Sequence, residues 1–400
     1  MTALRSLLLF LLFSGTSAAP AATVVENGPE PVHPPRSVIL EELWRIGGLE
    51  DEDNLLGLVD GAAVDEEGNV YLLDTQLVTV QVFDSRGRFI TSLGRKGEGP
   101  GEIRQASEVL LLPDGTVGLM QTFPGRIVKV DRSGLPAGEL DLGKNPGEGG
   151  LFTLLGADYR GGNLVLAGSR ITREESIRYS ARFIGSFDPS GNERAVYHRA
   201  TLTMDTTSGR RDEAAMFFPN RTWAVGPEGE VYIAPERNEY RIEAFAPGGE
   251  HRRTITLPYE SLERTPQELA AARSWMTPQG RRNLQALEVV VEPTQRDIVQ
   301  MHVAADLRLW VLSSRGAHPD DPGIHSLWDV FDPEGRFDHQ ASLPCEGRAL
   351  EDAVFFAGED LVILVKEHTD ALYTSRSIGR ESDEGEGPLP LEVVCYRMTD

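Results

Sequence analysis

The stretch that decides the fold runs from Asp60 to Gly94, DGAAVDEEGNVYLLDTQLVTVQVFDSRGRFITSLG. Asp60 to Val64 reads as a strand, and Asp65-Glu66-Glu67-Gly68-Asn69 as a tight turn. Val70-Tyr71-Leu72-Leu73-Asp74 is apolar almost throughout, the pattern of a strand covered on both faces. Val80 to Asp84 forms a third strand, Ser85-Arg86-Gly87-Arg88 reverses the chain, and Phe89 to Gly94 forms a fourth. The turns hold residues that accept positive φ or preset φ, as tight hairpins require. Such a four-stranded antiparallel meander cannot bury both faces alone; stacking copies radially does so.

The same phrase returns five more times. Its short turns recur as Pro113-Asp114-Gly115, Gly161-Gly162, Pro189-Ser190-Gly191, Pro227-Glu228-Gly229, Pro247-Gly248-Gly249 and Pro333-Glu334-Gly335. Six copies predict an all-β, six-bladed propeller as a single domain over residues 37–400. The 41 glycines and 25 prolines suit its many short strands and turns. The sixth copy, from Ala353, stops after a third strand at Val393 to Tyr396, while a spare strand, Val38 to Ile46 (VILEELWRI), precedes the first copy. That N-terminal strand is expected to complete the last blade and close the ring, removing an open edge.

The ending Ser92-Leu93-Gly94-Arg95-Lys96-Gly97-Glu98-Gly99-Pro100-Gly101-Glu102 is similar to the Gly-rich close of an NHL-type propeller repeat, and residues 60–102 as a whole resemble one. The fingerprint is sharp in the first copy and fades through the others. The resemblance implies six blades. Propellers of this kind include protein- and ligand-binding scaffolds, metal-dependent lactonases and zinc-dependent lyases, so the resemblance carries no catalytic residue across.

The N-terminal residues read as an export signal. Arg5 precedes an apolar run from Leu7 to Phe13, and small residues follow from Ser14 to Ala22. The run is too short to span a bilayer. Cleavage is expected between Ala18 and Ala22, and the absence of a following Cys argues against a lipid anchor. Residues 1–22 are therefore read as a signal peptide, 23–36 as a flexible linker, and the mature protein as periplasmic or secreted, monomeric and not inserted in a membrane. The net charge of −23 argues against nucleic acid, whose phosphates need clustered Lys and Arg. Cys345 and Cys395 admit two readings in an oxidising compartment, a disulfide or two separate buried thiols.

Connection lengths are uneven. Turns between first and second strands, and between third and fourth, are short. The long segments lie between blades (94–105, 201–220, 258–297) or between second and third strands (169–180, 314–326, 368–390). Both classes emerge on one side of the disc, so one face is plain and the other decorated, and function is expected on the decorated one. Within 258–297, Thr265-Pro266-Gln267-Glu268 carries a capping box with Pro at the first helical position, predicting a helix over Pro266 to Trp275 and a second from Thr277-Pro278 to about Leu287. This pair is either a lid or docking arm, or simple packing over one blade.

Arg104, Arg221, His302 and Asp352 are the candidate ligand-binding residues, on the decorated face or at the channel mouth. His318, Asp320 and His325, with Asp321, form the most metal-like local cluster, since His and carboxylate suit divalent ions, but they lack a fixed ligand spacing. There is no phosphate loop and no nucleophile elbow. The expected function is non-catalytic binding of a protein, peptide or glycan, without a cofactor. The alternative is a lactonase- or lyase-like enzyme holding a divalent metal at the mouth of the central channel.

Overall fold

A computed structural model describes residues 22–49, 51, 56–140, 142, 149–277, 288–377 and 391–399. Its first three strands, β1 (Thr23–Glu26), β2 (Arg36–Ser37) and β3 (Ile39–Gly47), precede the ring. Blade 1 is β4 (Val59–Val64), β5 (Val70–Asp74), β6 (Thr79–Phe83) and β7 (Phe89–Leu93). Blade 2 is β8 (Glu108–Leu111), β9 (Val117–Gln121), β10 (Arg126–Val130) and β11 (Pro136–Leu140). Blade 3 is β12 (Leu151–Arg160), β13 (Asn163–Glu174), β14 (Ile177–Phe187) and β15 (Glu193–Asp205). β16 (Arg210–Asp212) and the single-turn helix α1 (Glu213–Met216) follow. Blade 4 is β17 (Trp223–Val225), β18 (Val231–Ile233), β19 (Arg241–Phe245) and β20 (His251–Thr256), and then come helix α2 (Pro266–Met276) and β21 (Glu288–Val290). Blade 5 is β22 (Ile298–Val303), β23 (Leu309–Ser313), β24 (Ser326–Phe331) and β25 (Phe337–Leu343). Blade 6 is β26 (Ala353–Ala357) and β27 (Leu361–Lys366), then helix α3 (His368–Ser377) and β28 (Glu392–Thr399).

The fold is the expected six-bladed propeller, and the N-terminal strand closes it. β3 pairs antiparallel with β28, from Gly47 opposite Glu392 to Ile39 opposite Thr399, as the outer strand of blade 6. Every blade carries a bulge where its third and fourth strands pair, for example at Val82/Phe83, Val330/Phe331 and Cys395/Tyr396. A bulge at a fixed place strengthens the twist equally in each blade, which the radial arrangement needs.

Four plain-face turns share one device. Asp65, Asp84, Asp131 and Asp188 each accept, through Oδ1, the backbone amides two and four residues ahead. The chain reverses on a glycine in the left-handed region, φ 80° at Gly68 and 76° at Gly87.

Apolar side chains collect into six clusters among the described residues, one between each pair of neighbouring blades. The cluster between blades 6 and 1 contains Trp44 and Ile46 of β3 beside Leu72 and Phe83 of blade 1 and Ile363 and Val393 of blade 6. Trp44 stacks on Phe83 at 6.1 Å, and its ring lies so close to Gly87 that a Cβ there would stand 2.7 Å from Trp44 Cγ.

The stretch expected to be a linker is instead a belt along the outer rim. β1 adds in parallel to β20 of blade 4, and β2 adds in parallel to β25 of blade 5. Asn27 clips the two blades together, donating to the carbonyls of Thr256 and Gly335 and accepting from the Phe337 amide. The outer strands β20 and β25 offer unpaired backbone edges, and four residues suffice to cover one. Residues 1–21, which hold the expected signal, lie outside the described residues. No helix among the described residues is long and apolar enough to cross a membrane.

Cys345 and Cys395 are separate buried thiols, the second of the two readings. Cys395 faces the cluster between blades 6 and 1, Cys345 belongs to the cluster between blades 5 and 6, and the blade-6 sheet lies between them. Burial pushes both thiols up to about 12.

Replacing Trp44 with Ala removes the wedge that locks the closing strand. Urea unfolding should show a loss of about 3–5 kcal/mol, the cost of a large aromatic truncated in a packed core; a loss below about 1 kcal/mol would mean that closure does not depend on this contact.

Candidate functional site

The six innermost strands, β4, β8, β12, β17, β22 and β26, surround a central channel whose two ends differ. At the plain end, Arg160 of β12 reaches across the lumen and donates from Nη1 to the carbonyl of Val303 at 2.6 Å and, more weakly, to that of Val225 at 3.4 Å. This guanidinium ties the inner strands of blades 3, 4 and 5. Beside it lies a cavity of about 320 Å³ lined by Asp158, Trp223, His302 and Phe356, among others. His302 faces this lumen, stacked on Phe356 at 4.4 Å. Burial, and then the charge on Arg160, push its imidazole down to about 3, so it is neutral.

The opposite end opens among the first residues of the inner strands and the segments before them. Asp60 at the start of β4 meets His368, the first residue of α3, at 3.1 Å, and Arg221, just before β17, at 3.9 Å. Glu108, the first residue of β8, lies near Arg221, Asp60 and Asp158. Enclosure by the blades raises its carboxyl to about 8, against the pull of Arg221 and with the push of Asp60 and Asp158. Asp158 rises to about 6 for the same first reason, opposed by Arg160.

The insertions build walls on this decorated mouth. β16 pairs in parallel with β21, so the chain after α2 returns against the segment that follows blade 3. α2 starts with the expected capping box, Thr265 with Glu268, and its residue Arg273 donates to the carbonyl of Val289. Trp275 near the end of α2 meets Tyr373 of α3 edge to face at 5.7 Å, so helices from the 4–5 insertion and from blade 6 lean together beside the mouth. The second expected helix, 278–287, lies outside the described residues. Two of the long connections carry regular structure. Residues 169–180 continue β13 and β14 as one long hairpin, because Arg170 to Phe183 pair in register up to the turn at Glu174. Residues 368–377 form α3.

At the base of this wall, Glu213 of α1 accepts from Arg264 at 2.7 and 2.8 Å, from Arg237 at 3.2 Å and from the Glu292 amide at 2.9 Å. Burial alone would raise its carboxyl, but Arg264, the Glu292 amide and Arg237 outweigh it and hold the group below its usual range. A cavity of about 220 Å³ opens beside it, lined by Met216, Phe217, Phe218, Asn220, Arg237, Met276 and Arg296. Phe218 is buried under the Arg182 guanidinium, which lies 5.7 Å from its ring and donates to the carbonyls of Met216 and Phe217.

The expected site residues scatter. Arg221 is at the mouth and His302 in the channel. Arg104 pairs with Glu98 at 2.5 Å in the loop between blades 1 and 2. Asp352 is a structural cap, accepting from the amides of Arg348 and Glu367. The metal-like cluster does not converge. His318 sits between the Ser314 carbonyl, at 2.7 Å, and Glu268, at 3.5 Å. His325 is buried beside Ser326, its imidazole pushed down to about 4 by that burial. Among the described residues no three His, Cys, Asp or Glu side chains group as a metal ion needs. Sequence reading missed Asp60, Glu108, Asp158, Arg237 and Arg296. The available signal was positional: Asp60, Glu108 and Arg296 are charged residues at or just before the start of an innermost strand.

A further cavity, about 520 Å³, lies at the plain-face seam between blades 6 and 1. Its most buried charge, Asp65, is fully engaged by Arg132, Tyr71, Asn69 and backbone amides.

No protein-family model matches the chain, and no curated protein matches its sequence. Solved structures with a similar fold include a Bacteroides fragilis protein provisionally described as exported, at 12% identity and TM-score 0.51 over 94% of this chain and 100% of the other. A member of the DUF4221 family from Bacteroides vulgatus is similar at 9% identity and TM-score 0.50, over 91% and 99%. Virginiamycin B lyase from Staphylococcus aureus reaches TM-score 0.44 at 12% identity, over 91% and 100%. At these identities the likeness is one of fold.

The raised carboxyl of Glu108 has a pH consequence. Between its ordinary value near 4.5 and about 8 the folded state holds a proton that the unfolded chain releases, so stability falls as pH rises through this window. Glu108→Gln should therefore unfold at a higher temperature than the unaltered chain at pH 8.5 and lose that advantage at pH 5. Melting curves at the two pH values check this, and a pH-independent difference would contradict it.

Proposed function

We propose that this chain is an exported, NHL-type binding propeller that recognises a protein, peptide or glycan at the decorated mouth of its channel, without catalysis and without a cofactor. One observation carries the reading: the decorated face sets charged groups with spare capacity beside an apolar cavity. On the plain face the turn aspartates bond to their own backbone, and Arg160 bridges the channel end. On the decorated face, Arg221 is largely exposed, with only the distant Asp60 as an ion partner among the described residues, and Arg296 projects beside a walled apolar cavity. Charged groups with capacity to spare, on a rigid ring, suit recognition of a ligand. Export is supported by the charged, apolar and small-residue order of residues 1–22. The NHL-type reading is supported by residues 60–102.

The test compares the faces. Peptide and oligosaccharide arrays are screened for ligands that raise the melting temperature. The Phe217→Ser/Arg221→Glu pair should abolish the shifts, and the plain-face pair Arg86→Glu/Arg336→Glu should preserve them. Ligands lost by the plain-face pair and kept by the other would place recognition on the wrong side.

A further inference from the structure

Arg296 is the one arginine of the mouth cavity whose guanidinium makes no hydrogen bond or ion pair among the described residues, and it is exposed to the solvent of that mouth. Its neighbour Arg237 is buried and saturated, donating to Glu213, Asn238 and the carbonyls of Thr294 and Gln295. Arg264 is likewise held by Glu213 and the Glu292 carbonyl. Glu213 is thus fully engaged by two arginines and leaves nothing for Arg296. The guanidinium stands beside like charges with no partner among the described residues, so intramolecular pairing does not account for its place.

The other walls are apolar. Phe217, Met216 and Met276 stand part-buried around the same cavity of about 220 Å³. The nearby carboxylates have other partners: Glu213 is held by Arg237 and Arg264, Asp297 accepts from Ser261, and Asp60 is engaged with His368 and Arg221.

Resting on the binding reading above, the geometry points to a carboxylate-binding pocket: Arg296 takes the carboxylate through its two-pronged guanidinium, and Phe217, Met216 and Met276 take an adjoining apolar group. The chemistry is that of a peptide C-terminus with an apolar last residue, or of a free organic acid with an apolar body. A guanidinium fork matches a carboxylate in a way an ammonium does not.

Calorimetric titration of the full chain separates the two sources, with three probes: acetyl-Gly-Gly-Phe as the free acid, the same peptide as its C-terminal amide, and 3-phenylpropionate. The acid should bind saturably at one site and the amide at least tenfold more weakly. Equal affinity for 3-phenylpropionate identifies a pocket for carboxylates in general; preference for the peptide acid identifies a C-terminus. Arg296→Met should weaken the acid at least tenfold without lowering the melting temperature, and Arg296→Lys should retain part of the affinity. The inference is overturned if acid and amide bind alike, if Arg296→Met changes affinity less than twofold, or if none of the probes binds the folded chain. A neutral ligand lost by the Phe217→Ser/Arg221→Glu pair but unaffected by Arg296→Met would overturn this inference and leave the binding reading standing.

Discussion

The ring is held by one non-local pairing, that of Ile39–Gly47 with Glu392–Thr399. Each blade shields its neighbour's apolar face, so the ring is stable only when the last blade meets the first. The closing strand makes both halves of that joint, supplying the outer edge of blade 6 and placing Trp44 against Phe83 and Gly87 of blade 1. Closure by a strand from the far end of the chain leaves neither terminus of the ring free to fray. The belt continues the same logic outward, where β1 and β2 cover the edges of blades 4 and 5 before the chain reaches blade 6.

A closed ring makes its two faces unequal. The plain face is built from short turns, several of which are capped by an aspartate that bonds to their own backbone. The decorated face receives every long connection. There the parallel β16–β21 pair and the Glu213 cluster turn an insertion into a rigid wall, and α2 and α3 approach through Trp275 and Tyr373. The inner strands deliver charged residues to the same opening, where a shared low-dielectric enclosure raises Glu108 and Asp158 together.

Much of the fold was legible in the sequence. The six copies, the spare strand and the Thr265–Glu268 capping box all rest on local chemistry: strand periodicity, turn residues and helix caps act over a few positions. Reading failed where a segment's partner was distant in sequence. Thr23–Glu26 looked like a linker because its partner lies more than two hundred residues away. His318 and His325 looked like a metal cluster because they are close in sequence, yet one leans on Glu268 of α2 and the other is buried beside Ser326. Arg104 and Asp352 looked available until Glu98 and the backbone amides of residues 348 and 367 claimed them.

By itself, then, the sequence determined the number of blades, the strand that closes them and the face that carries the long connections, because repeat period and turn chemistry are local. Tertiary structure alone decided which charges meet. Glu108, Arg221 and Asp60 come from three blades, and Glu213, Arg237 and Arg264 from three separate segments. Electrostatic interaction depends on distance in space and on enclosure, and a radial fold brings together at its axis residues that the chain keeps far apart.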